Sequence, residues 1–157
     1  STPVDKVGEH EKKLINDLFA TMYHSKGIGL AAVQVGVLKR ILVIDVSSGE
    51  EKKQPLSFIN PTIKKLSDET SIYEEGCLSI PNTYIEIERP KVCEVEYIDV
   101  KGQIKNLTCD GLLSTCLQHE INHLDGKLII DNLSKLKRDL IIRKISKSKK
   151  SPDRIIV

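Results

Sequence analysis

"STCLQHEINHLDGK", residues 114–127, places His119 and His123 four positions apart with Glu120 directly after the first, the order HExxH. On a helix, positions i and i+4 lie one above the other, so both imidazoles can aim a ring nitrogen at one ion. Glu120 projects about 100° further round, towards the side where a bound water would sit. Working outward, Asp110 is placed to cap this helix and Gly126 to end it. One face, 112–116–119–123, carries Leu, Cys, His and His; the other carries Leu113, Leu117, Ile121 and Leu124. A helix apolar nearly all round is buried. Two imidazoles and a carboxylate in that shell are costly unless a metal or hydrogen bonds satisfy them, so a metal site outweighs a chance pair of histidines.

A catalytic metal needs one more protein ligand and an open position. No histidine follows position 123, Asp125 stands too close on the helix to turn back, and Asp131, Asp139 and Asp153 fall in a linker or a basic tail. Upstream, "EEGCLSIP" at 74–81 offers the thiol of Cys77 in a glycine-flanked loop, with Gly76 allowing close backbone approach and Pro81 ending the segment. From spacing alone, an idle buried thiol at Cys77 is an equal alternative. Cys93 lies on the apolar face of a strand and reads as core. Cys116, one turn before His119, lines the neighbourhood without binding the ion.

The remaining elements frame this helix. Residues 9–26 put Leu14, Leu18 and Met22 on one stripe with Ile15 and Phe19 beside it, and Gly27 supplies a stop. "GIGLAAVQVG" is too rich in glycine for a helix and too small in side chain for an ordinary core strand. "RILVIDV" at 40–46 reads as a buried strand leading into a polar turn, and "LSFINPTIKKL" as another that Pro61 pushes to an edge or a bulge. The stretch 84–98 gives the clearest strand signal: Cys93, Val95 and Tyr97 alternate with Glu94 and Glu96. A turn around Gly102 returns the chain as a hairpin. Leu133, Leu136, Leu140, Ile141 and Ile145 form a second amphipathic stripe, and 151–157 reads as a frayed tail. The expected fold class is α+β: short antiparallel sheets around a buried central helix, with an amphipathic C-terminal helix, in one domain spanning 1–157.

The 157 residues suffice for a real core; 39% are hydrophobic and 29% charged, and no apolar run could span a bilayer. No secretory leader is evident, and the four scattered cysteines suggest no disulfide framework, so a reducing compartment is expected. Residues 131–150 hold eight Lys/Arg against two Asp, while the rest of the chain holds 16 Lys/Arg against 20 Asp/Glu. A basic tail suits contact with a polyanion; solvated helix surface is the plainer explanation.

Three segments in order, "GIGLAAVQ" (27–34), "EGCLS" (75–79) and "QHEINH" (118–123), resemble the three signature motifs of peptide deformylases, and the flanking sequence agrees from about residue 3 to about 148. The resemblance implies hydrolysis of the N-formyl group from the initiator methionine of nascent polypeptides, releasing formate. It makes Cys77, His119 and His123 the ligands of one divalent metal ion, Fe2+ in cells, with Zn2+, Ni2+ or Co2+ as substitutes. Glu120 becomes the general acid/base, and the Gln34 amide and the Leu78 N–H hold the formyl oxygen. The Gly29 backbone pairs with the peptide; Ile28, Leu112, Thr115 and Cys116 line the methionine pocket; Glu75 and Arg89 form an ion pair behind the site.

The implied partners are N-formyl-methionyl peptides and, through the basic C-terminal helix, the ribosome. No membrane or specific DNA partner is expected, and a monomer in the bacterial cytoplasm, or in an organelle, is. Three departures stand out. Asn122 replaces the family's usual Asp and is expected to change a hydrogen bond behind the ligands. Tyr84 replaces a common Arg near the substrate's outer residues. The chain begins at Ser1, so a short preceding strand is expected to be missing.

Two other functions fit parts of this pattern. A peptidase cutting internal bonds would need a third ligand other than Cys77, and Cys77→Ser would leave its metal content unchanged. A non-catalytic formyl-peptide-binding module would not need Glu120 and Gln34, both of which are present. A nucleic-acid binder is disfavoured by 4% aromatic content without Trp.

Overall fold

The computed structural model describes residues 1–47, 49 and 52–148. Its elements are α1 (Glu9–His24), β1 (Gly29–Ala31), a 3-10 turn (Ala32–Val35), β2 (Ile41–Ile44), β3 (Leu56–Leu66), β4 (Thr70–Cys77), β5 (Ile80–Pro90), β6 (Val92–Ile98), β7 (Ile104–Asp110), α2 (Gly111–Leu124), a second 3-10 turn (Ile129–Asn132) and α3 (Lys135–Ser148). The protein is α+β, as expected, with antiparallel pairing in both its sheets: a five-stranded sheet ordered β1-β2-β3-β6-β7, and a separate pair, β4–β5. No described helix is long and apolar enough to cross a membrane.

Strand β2 shows why "ILVI" is apolar throughout. Alternate side chains leave opposite faces: Leu42 and Ile44 enter a core with Phe58, Cys93, Leu117 and Ile121, while Ile41 and Val43 enter another with Ile15, Leu18 and Met22. Thus α2 packs on one face of the sheet and α1 on the other. A third core, Ile80, Ile87, Ile129 and Ile130, lies under the β4–β5 pair, with Ile141 and Ile145 against it.

The structure revises several sequence expectations. The end of α1 is set by Lys26, not Gly27: Lys26 takes the left-handed conformation at φ 55, with Lys26 N–H on Tyr23 O and Gly27 N–H on Met22 O. These paired bonds tie off the last turn and offset the cost of a left-handed residue that carries a Cβ. Asp110 occupies the position before α2 but makes no side-chain cap. The helix is entered directly from β7, where Gly111 N–H bonds Lys91 O at 3.2 Å. Pro61 produces the bulge and not the edge: pairing of β3 with β6 slips between Ile59 and Thr62, where Asn60 adopts φ 50. Asn60 Nδ2 then donates to Val4 O at 2.8 Å, and Val4 N–H to Asn60 Oδ1 at 2.8 Å.

The signal at 84–98 is two strands that change sheet at Lys91. On α3, Leu136 and Leu140 are 72% and 56% exposed, so the packed stripe narrows to Ile141 and Ile145. The expected tail at 151–157, and part of the turn after β2, lie outside the described residues.

Candidate metal centre

Helix α2 supplies one wall of the site. Leu112, Thr115, Cys116, His119, Glu120 and His123 fall at helical spacings of three and four and share its inner face; Thr115 through Glu120 and His123 are buried. The segment "EEGCLSIP" is not a loop but the tip of the β4–β5 hairpin, where Cys77 pairs with Ile80 around a turn at Leu78 and Ser79. An irregularity beyond the turn, with Asn82 at φ 58, brings Tyr84 opposite Gly76. A Cβ on Gly76 would lie 2.8 Å from Tyr84 Cε1, so the glycine makes room for that ring.

Strand end and helix bring three donors together. Cys77 Sγ lies 3.2 Å from His123 Nε2, which lies 3.1 Å from His119 Nε2, and the set falls within 4.8 Å. Thiolate and imidazole ligands sharing a tetrahedral ion are about 3.3–3.6 Å apart, so these residues fit one metal ion. The neighbours orient these donors. Glu75 Oε2 sits 2.9 Å from His119 Nδ1; a carboxylate only accepts, so Nδ1 carries a proton, and Nε2 is the nitrogen that would face an ion once its own proton leaves. Arg89 grips Glu75 through Nε–Oε1 at 2.6 Å and NH2–Oε2 at 3.0 Å, and donates from NH1 to Asn122 Oδ1 at 2.8 Å. Asn122 therefore accepts from Arg89 through a neutral amide oxygen.

Protonation follows the same geometry. Burial pushes the Cys77 thiol up, but hydrogen bonds from His119 and His123, the charge of His123 and the Ser79 N–H outweigh it and bring it to about 5. His119, lowered by burial, is carried to about 10 by its bonds to Cys77 and Glu75. A thiolate at neutral pH is the form that binds a divalent ion. Burial pushes Glu120 up to about 7 against the pull of His119 and His123, and its Oε2 has no hydrogen-bond partner. Cys116 is held well above its usual range by burial, and its thiol faces Ile28 O at 3.8 Å.

A cleft of about 870 Å³ opens over Cys77, His119 and Glu120, while His123 lies behind its wall. Ile28, Gly29, Gln34, Leu78, Leu112 and Cys116 also line it, as does Thr115. Gln34 is pinned by its own backbone: Oε1 accepts Ala31 N–H at 2.9 Å, which turns Nε2 to Ser79 Oγ at 3.0 Å and towards Cys77 Sγ at 3.9 Å. Sequence reasoning missed Ser79, whose place inside "EGCLS" was the available signal, and the seat of Tyr84 on Gly76, which had none. Asp125, excluded above as a ligand, is occupied by Arg40 at 2.8 Å.

An HExxH helix, a thiolate closing the triangle and a buried carboxylate beside them define a metal-dependent hydrolase. Comparison with known proteins narrows that class. A family model described as polypeptide deformylase matches residues 1–139. A peptide deformylase of Pelagibacter ubique (strain HTCC1062) is 57% identical over 157 residues, covering 100% of this chain and 90% of that protein. One from Rhizobium meliloti (strain 1021) is 54% identical, covering 96% and 87%. The crystal structure of peptide deformylase from Ehrlichia chaffeensis superposes with TM-score 0.90 at 42% identity, covering 95% of this chain and 88% of that one; its complex with actinonin gives 0.89 at 42%, covering 96% and 90%. The chain belongs to the peptide deformylase family. It is a hydrolase that removes the N-formyl group from nascent polypeptides, and neither the peptidase nor the non-catalytic reading is favoured.

Proposed function

We propose that Cys77, His119 and His123 hold a single divalent ion, Fe2+ in the cell with Zn2+, Ni2+ or Co2+ as substitutes, and that Glu120 moves the protons of deformylation. The observation that carries this reading is the convergence of the three donors beside Glu120 Oε2, the one buried carboxylate oxygen without a partner among the described residues. A bound divalent ion supplies Lewis acidity, making a water acidic enough to react near neutral pH. Glu120 would take a proton from the attacking water while the water oxygen adds to the formyl carbon. Gln34 Nε2 and the Leu78 N–H hold the oxygen that becomes negative; losing one such donor typically costs about 3–4 kcal/mol. Glu120 returns the proton to the leaving amine, the C–N bond breaks, and formate and a free N-terminus result.

β1 is the outer strand of the five-stranded sheet, and Gly29 lines the cleft, which supports a peptide added alongside through its backbone. Ile28, Leu112, Thr115 and Cys116 form the pocket for the methionine side chain, leaving later positions loosely read. The lysines and arginines of α3 are the surface offered to the ribosome, and the enzyme acts as a monomer in the cytoplasm or an organelle. The test is formate release from formyl-Met peptides by nickel- or iron-loaded protein beside Glu120→Ala. That variant should keep its metal and lose turnover; full activity would remove Glu120 from the proton path.

A further inference from the structure

Among the described residues, three buried side-chain polar atoms lack a hydrogen-bond partner: Ser71 Oγ, Thr115 Oγ1 and Glu120 Oε2. Two of them belong to the same cleft and the same face of α2. Glu120 has its reaction to explain it. Thr115 does not. Helical threonines commonly return the hydroxyl to a carbonyl one turn back, yet Thr115, 3% exposed, makes no such bond. Its neighbours in the pocket, Ile28 and Leu112, are hydrocarbon, and the Cys116 thiol is turned to Ile28 O. As it stands the hydroxyl oxygen is closed off; because it makes no bond, a turn about χ1 that brings it to the cleft costs it no partner, and an acceptor carried by the ligand would satisfy it.

We propose that Thr115 is a specificity-determining residue whose hydroxyl donates to the thioether sulfur of the substrate's first side chain, so that the pocket reads sulfur and not length alone. This rests on the reading of the pocket as the methionine site. Thr115 stands one helical turn, about 5.4 Å, from His119. On that reading an unbranched side chain leaving the reacting residue would run along that turn. Sulfur is a weak acceptor that fits an apolar wall, where water or a carbonyl would bring a polar group needing further partners. A methylene in its place fills the same space and leaves the hydroxyl unpaired.

The experiment compares kcat/KM for formate release from formyl-Met-Ala-Ser and formyl-norleucyl-Ala-Ser, which differ by S for CH2, in the wild type, Thr115→Val and Thr115→Ser. The wild type should prefer methionine by roughly fivefold, the weight of one weak hydrogen bond. Thr115→Val, nearly the same shape without the hydroxyl, should bring the ratio to about one while metal content and thermal midpoint hold; Thr115→Ser should retain the preference. A ratio unchanged in Thr115→Val, or a wild-type ratio near one, overturns the role of Thr115 and leaves the pocket reading standing. Equal turnover of formyl-Gly-Ala-Ser by the wild type would instead overturn the pocket, and the proposal with it.

Discussion

A Cβ at Gly29 would lie 2.5 Å from Glu120 Oε1 and 2.8 Å from Cys116 Sγ, both inside van der Waals contact. The missing side chain is what lets β1 run close beside the carboxylate. Gly29→Ala must displace either Glu120 or the strand that the peptide is proposed to pair with. Misplacement by about 1 Å can cost about a hundredfold in rate, and a loss of that order in kcat/KM is expected, with metal content at the wild-type level because none of the three ligands is touched. Activity within threefold of wild type would show that Glu120 needs no fixed seat. HExxH made the two histidines and Glu120 readable, since helical spacing alone brings them together. Cys77, left open by spacing, required the resemblance. The Gln34–Ala31 lock and the unpaired hydroxyl of Thr115 were illegible because both depend on which atoms meet through space.

In α1 the periodic pattern was legible, but its centre was displaced. The buried line is Glu11–Ile15–Leu18–Met22, with Leu14 and Phe19 flanking it. A carboxylate heads an apolar stripe because every bond it needs is supplied: Lys39 Nζ lies 2.6 Å from Oε1 and Gly8 N–H donates to Oε2 at 2.9 Å. The Lys39 contact, then the Gly8 bond, lower Glu11 from 4.5 to about 2. A depressed acid stabilises the fold above its unfolded pKa, and that contribution fades as pH falls through the folded value. The urea midpoint of the wild type should therefore exceed that of Glu11→Gln by a constant margin above about pH 5, and the gap should close between pH 4.5 and 2. A margin that persists at pH 2 would assign the effect to shape and not to charge. The α3 pattern failed differently: Leu136 and Leu140 fit a helical stripe, but the ground beneath the helix is only the small third core, wide enough for Ile141 and Ile145.

Which strands pair was the least legible property of the chain. The β6–β7 hairpin could be read because its turn is local; the order β1-β2-β3-β6-β7 and the separation of β4–β5 are long-range choices that no window of sequence contains. That separation would make the proposed metal structural as well as chemical. The β4–β5 hairpin leaves and rejoins the large sheet near Ser67 and Val92, joined there by Ser67 N–H on Val92 O at 2.9 Å. Its tip approaches α2 through Cys77; further back along the hairpin Glu75 bonds His119, and near the junction Arg89 bonds Asn122. An ion held by Cys77, His119 and His123, as proposed, would tie that tip to the helix, beyond the packing of Ile80 in the third core. A ligand a thousandfold above its Kd adds about 4 kcal/mol to folding stability, which in a domain of this size corresponds to about 10 °C in Tm. Chelation should lower Tm by that order. Amide exchange should rise first across Thr70–Cys77 and Ile80–Pro90, while Ile41–Ile44 and Val92–Ile98, packed in the larger cores, keep their protection. If exchange instead rose equally in both sheets, the ion would be stabilising the fold as one cooperative unit, and the hairpin would not be the part that it clamps.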